Sequence, residues 1–143
     1  MKSKFLTKLC TEDTLHPRYI KLEKPLIYYS QRLNLYIFIP KGFICDEESV
    51  PVFRGTSRRA GVLHDYLVRF DSIPVVSKQM AATIYLEAMA CRDNEMINEY
   101  NYNPLKQAWM WARRNGKTLF VRACPGYYHQ LSVKATLQEI INL

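Results

Sequence analysis

The sequence predicts an α+β fold in which N-terminal antiparallel strands pack on three to four helices. Two observations carry that expectation. Before residue 42 the apolar residues come in short runs rich in aromatic and β-branched side chains, whereas after residue 57 they recur at helical spacing. The chain has 143 residues, 48% of them apolar, which is enough for one buried core and too few for two. A single domain, 1–143, follows, with a strand-rich part at 1–40, a loop at 41–56 and a mainly helical part at 57–143.

Three strands are expected, at residues 20–22, 26–29 and 35–39, with turns at Lys24-Pro25 and at 30–34. The last run, Leu35-Tyr36-Ile37-Phe38-Ile39, is apolar throughout and suggests a strand buried on both faces. Pro40 and Gly42 end it. Residues 57–70 then place Val62, Leu63, Tyr66, Leu67 and Phe70 around most of a helix, the pattern of a central helix, and this helix carries His64-Asp65.

A second helix is expected at 77–91, with Ser77 as N-cap and Met80, Ile84, Leu86, Ala88 and Met89 as its apolar surface. The polar, Asn-rich stretch 92–103 reads as a loop. Pro104 opens a third helix, and Asn115-Gly116 is expected to close it, by the preference for Pro at the start and Gly past the end. Residues 132–140 form a short C-terminal helix in this reading.

Twenty Lys and Arg against thirteen Asp and Glu leave a net charge of +7, which favours acidic partners, nucleic acid among them. Cys10, Cys45, Cys91 and Cys124 form no C-x-x-C pair and are read as reduced, packed thiols in a reducing cytosol. Thr7 and Lys8 interrupt the N-terminal apolar stretch, so no signal-peptide core is expected, and no run approaches the roughly 20 apolar residues of a membrane span.

The chemistry-bearing segments are G-F-I-C-D-E-E-S-V-P, residues 42–51, and R-A-G-V-L-H-D-Y-L, residues 59–67. They set Asp46, His64 and Asp65 into surroundings that are otherwise apolar, where a buried carboxylate or imidazole needs a partner. This pair of segments, followed by Glu87-Ala88-Met89, resembles a family of short bacteriophage and prophage proteins of unknown function. That resemblance implies phage origin, with a place in the host cytoplasm during infection or in the virion, and phage structural proteins or a host protein as partners.

The helix motif H-D-x-x-Y is also similar to the centre of calcium-dependent secreted phospholipases. There it implies an imidazole base, a carboxylate holding a divalent cation such as calcium, and a second carboxylate orienting the ring. Here Val68 replaces the expected Tyr, and Ala82 stands where the second helix would supply an Asp. His64, Asp65 and Asp46 are the catalytic candidates, with Asp46 and Asp65 as metal ligands if a metal is held.

The binding candidates are Ser49, Arg58, Arg59, Trp109, Arg113 and Arg114. Ser49 lacks the Gly-flanked elbow of a nucleophile and reads as a turn residue. Trp109 and Trp111 with Arg113-Arg114 could stack on bases of single-stranded nucleic acid, but a core Trp at the edge of an amphipathic helix is the preferred expectation. Three functions are ordered from these observations. The first is a non-enzymatic, virion- or tail-associated accessory or assembly protein. The second is a small His/Asp-dependent hydrolase, acting on a lipid ester or a cell-envelope component with His64 as base. The third is an inhibitor or adaptor binding a host protein or nucleic acid.

Overall fold

The structure, a computed structural model, describes residues 1–15, 19–45, 58–69 and 71–123. Among them the chain runs through six strands, β1 (Lys4–Phe5), β2 (Thr11–Asp13), β3 (Ile20–Leu22), β4 (Leu26–Ser30), β5 (Leu35–Ile39) and β6 (Ile44–Cys45). Three helices follow, α1 (Arg58–Leu67), α2 (Lys78–Tyr100) and α3 (Pro104–Ala123). The α+β class is as expected.

The strands form two small antiparallel sheets, ordered β1-β4-β5 and β2-β3-β6. β4 and β5 make a hairpin in register from Leu26↔Ile39 to Ser30↔Leu35. Its loop closes with Asn34 in the left-handed region, φ 52°, a conformation Asn tolerates, and the Asn34 carboxamide oxygen accepts a hydrogen bond from the Tyr29 hydroxyl at 2.7 Å. Gly42, φ 88°, turns the chain from β5 into β6, and its N–H donates to the Leu22 carbonyl at 2.8 Å. Only a residue without Cβ adopts that backbone freely.

The short strands β1, β2 and β6 carry too little pattern to be seen in sequence. Their place comes from neighbours: Thr7, just after β1, accepts the Ile27 N–H and donates to the Pro25 carbonyl.

The core lies where the inner faces of both sheets meet α1 and α2. Leu22, Tyr28, Ile37 and Phe43 from the strands pack with Leu63 and Leu67 from α1 and with Ile84 and Met89 from α2. α1 is buried nearly all round, as its pattern predicts, with Val62, Leu63 and Leu67 wholly inaccessible. Burial of each such side chain contributes roughly 1.5–3 kcal/mol.

Four expectations are corrected. β5 is not buried on both faces: Ile37 and Ile39 point inward while Tyr36 and Phe38 are more than half exposed, because β5 is the edge of a three-stranded sheet covered on one face. α2 does not stop at residue 91. It begins as expected at the Ser77 cap, whose side chain accepts from the Met80 N–H, but runs on to Tyr100, where Asn101 (φ 50°) ends it with an N–H to the Ile97 carbonyl. The polar stretch stays helical because Asp93 is buried against Arg114 at 3.0 Å and Glu95 meets Arg59 at 3.2 Å.

The third correction is at Asn115-Gly116, which does not close α3. Asn115 and Thr118 bond back to the carbonyls of Trp111 and Arg114, both four residues earlier, and Lys117 and Thr118 are buried, so the helix continues to Ala123. The fourth concerns the tryptophans. Trp109 and Trp111 are 62% and 58% exposed, and Met110 between them takes the core-facing position. Cys10, Cys45 and Cys91 are thiols and not half-cystines. Cys124 and the expected helix at 132–140 lie outside the described residues. No helix among the described residues is long and apolar enough to cross a membrane.

Candidate functional site

His64 sits on the buried face of α1 with 6% of its surface accessible, and its ring lies 5.1 Å from that of Tyr85 on α2. Asp65, the next residue, is half-buried. About 100° of helix rotation separates them. Asp46 and Ser49 lie outside the described residues, as do Glu47 and Glu48. Among the described residues no three His, Cys, Asp or Glu side chains stand close enough together to hold a metal ion. Ala82, at the position where the phospholipase likeness wants a carboxylate, is wholly buried among the core residues of α2.

A second polar centre was not legible as such. The carboxylate of Glu87 on α2 reaches the β4–β5 hairpin: Oε1 accepts the hydroxyls of Tyr28 and Ser30, each at 2.8 Å, and Oε2 accepts the N–H of Arg32 at 3.1 Å. Tyr28 and Ser30 are wholly buried. Burial first, then the neighbouring Cys91 and Glu87, pushes the Tyr28 phenol far above its ordinary pKa, so it stays protonated and donates. Burial likewise raises the Cys91 thiol, which donates to the Ser3 carbonyl at 2.9 Å. The available signal was spacing: Ile84, Glu87, Ala88 and Cys91 recur at i, i+3, i+4 and i+7, which puts the carboxylate on the inward face of α2. Its donors all come from one hairpin, so it acts as a clasp between sheet and helix.

Of the predicted cluster Trp109, Trp111, Arg113 and Arg114, Trp109 and Arg113 share a side of α3, four residues apart, and the other two face elsewhere. Trp109 and Trp111 are about 200° apart on the helix, and the Arg114 guanidinium is directed inward to Asp93. Arg113 is half-buried. What α3 presents instead is an apolar stripe. Leu105, Ala108, Trp109, Ala112, Gly116 and Leu119 share one side at spacings of three and four, opposite the side that packs on α2 through Met110, Arg114 and Thr118. Leu105 is 81% exposed and Leu119 66%. A groove of about 650 Å³ runs beside Leu105, Trp109 and Ala112. Arg58 and Arg59, at the start of α1, face a different opening with Lys8 and Arg92.

The strands and helices from β3 into α3 thus form one α+β unit in which a clasped hairpin backs the His64 helix, a scaffold with no activity declared by its shape. Residues 20–113 match the DUF1353 family, described as a protein of unknown function, and the chain belongs to that family. No curated protein and no solved structure matches the chain.

Proposed function

We propose that this chain is a bacteriophage-encoded accessory protein without enzymatic activity, made in the host cytoplasm and docked onto a phage structural protein during tail or virion assembly. The observation that carries this reading is the outward stripe of α3. Isolated exposed apolar residues are ordinary on a protein surface, but a stripe of Leu105, Trp109 and Leu119, the first two lining a groove, is the composition of a protein contact, where Trp is enriched.

The chemistry of the partner follows from the flanks. α3 contains no acidic residue and five basic ones, of which Arg114 pairs with Asp93 and Lys117 is buried, leaving Lys106, Arg113 and Arg122 beside the stripe. The complementary surface is an apolar patch with an acidic rim, and the charges steer the encounter more than they tighten the complex. Phage origin rests on the paired G-F-x-x-D-x-x-S-V-P and V-L-H-D-Y-L segments.

Mass spectrometry of purified virions tests this reading. The wild-type chain is expected at a fixed copy number, and a folded Trp109→Ser chain at a reduced one. Absence of the wild-type chain from virions would contradict the proposal. So would hydrolysis of an ester substrate by the purified protein that is lost in a folded His64→Ala variant, which would favour the hydrolase reading instead.

A further inference from the structure

The β1-β4-β5 sheet packs on the core through one face, and its other face is aromatic. Tyr28 and Ser30 on β4 and Ile37 and Ile39 on β5 point inward, so strand alternation turns Tyr29, Tyr36 and Phe38 the opposite way. Pairing lines these residues up across the strands: Lys4, Tyr29 and Tyr36 form one row, and Ile27 and Phe38 the next. Tyr36 and Phe38 are 56% and 53% exposed. They stand two residues apart, about 7 Å along the strand. Tyr29 is buried beside Tyr36, their ring centroids 5.1 Å apart, and its hydroxyl is held by Asn34, so the Tyr36 ring is backed by a fixed neighbour.

An edge strand is ordinarily protected from unwanted pairing by charged side chains, yet β5 has none and shows two rings to solvent. Local rules are broken in this way where a site needs them broken. The charges stand around the rings instead. Lys4 lies in the Tyr36 row, Arg32 in the turn before β5, and Lys41 just after it, and all three are exposed. None of them has an ion-pair partner among the described residues, and the three strands of this sheet contain no acidic residue. Glu87 reaches the sheet from its core side, where the Tyr28 and Ser30 hydroxyls and the Arg32 N–H take up its charge.

We infer that the outer face of this sheet binds single-stranded nucleic acid, two successive bases stacking on Tyr36 and Phe38 while Lys4, Arg32 and Lys41 meet the phosphates. Every base has a π-face, so aromatic rings set among cations on an open sheet hold a strand with little regard for its sequence. A duplex keeps its bases stacked on one another and offers these rings nothing. The surface lies on different elements from the α3 stripe, and the inference stands whether or not the chain is found in virions.

Fluorescence anisotropy of labelled oligo(dT) and oligo(rU) titrated with the full chain tests it, with an abasic strand as control. Saturable binding of one or both oligonucleotides is expected, weakened about tenfold by Tyr36→Leu and by Phe38→Leu, which keep an apolar side chain and remove the ring. The logarithm of the affinity should fall with that of salt concentration at a slope of about −2, as three phosphate contacts on a single strand require, and Lys4→Gln should make the slope shallower by about 0.7. Circular dichroism establishes folding; should Tyr36→Leu fail to fold, Phe38→Leu and Lys4→Gln carry the test. No binding at about 100 μM protein, the weak end of non-specific affinity, would overturn the inference. So would equal binding of the abasic strand, or affinity that neither ring variant changes, since charge alone would then be the cause. Dimerisation of the chain that Phe38→Leu disrupts and oligonucleotide leaves intact would assign the face to a protein contact and overturn it as well.

Discussion

Glu87 on α2 and Trp109 on α3 stand in each other's expected places. The carboxylate is turned into the protein and the indole out of it. Around Glu87 every oxygen has a donor from the β4–β5 hairpin, so the charge serves to fasten a sheet to a helix. Around Trp109 the neighbours along the helix, Leu105 and Ala112, are also apolar and exposed, so the stripe does little for the fold of this chain. A misplaced polar group with a full set of partners is architecture, and a misplaced apolar group in a continuous exposed row is what the proposed partner contact would use.

The largest expected effect is at the clasp. Glu87→Ala leaves the buried Tyr28 and Ser30 hydroxyls and the Arg32 N–H without their acceptor, at a cost of about 3 kcal/mol from a penalty of roughly 1–3 kcal/mol per stranded buried group. A lower urea midpoint with unchanged slope would register it. A change below about 1 kcal/mol would mean that water replaces the carboxylate and that the clasp is dispensable.

Alkali sharpens the comparison next. The folded state holds protons on Tyr28 and Cys91 that the unfolded chain releases more readily, since both pKa values are raised. Their contribution is complete below the unfolded thiol's pKa of about 8.5 and is lost as pH rises, with the phenol adding a loss of about 1.4 kcal/mol per pH unit above about 10. Stability measured from pH 7 upward should fall in wild type and fall less steeply in Tyr28→Phe. Parallel profiles would remove the phenol from the account.

A smaller effect, of opposite sign, is expected on α3. Gly116 lies inside the helix, and a Cβ built there meets nothing within 4 Å. Gly116→Ala should stabilise the protein by about 0.5–1 kcal/mol through lower backbone entropy in the unfolded chain. Thermal melts would show the rise; a fall would mean that residue 116 is not helical in solution.

These regions also differ in how much of them the sequence revealed. β3, β4 and β5, the buried helix α1, the Ser77 cap and the Pro104 start were legible, because each depends on local periodicity or capping chemistry. The far half of α2 and the last turns of α3 were not. Their helicity depends on contacts made across the fold, Asp93 with Arg114 and Glu95 with Arg59, and a polar window cannot announce a partner about twenty or more residues away. The same holds for the candidate sites. His64 was correctly placed in an interior helix, and Arg58 and Arg59 were singled out as binding residues. The company of Lys8 and Arg92 was invisible, because it is created by the β1–β2 segment folding against α1 and α2. Trp109 was expected inside because aromatic residues bury more often than not, and helix phase placed Met110 there instead.

Equilibrium urea unfolding of Glu87→Ala and Trp109→Ser, side by side with wild type, tests the central distinction between clasp and contact surface most directly. A loss of about 3 kcal/mol in the first and less than about 0.5 kcal/mol in the second is the predicted result. A Trp109 variant that unfolds as readily as the Glu87 variant would contradict it, because the α3 stripe would then belong to the fold.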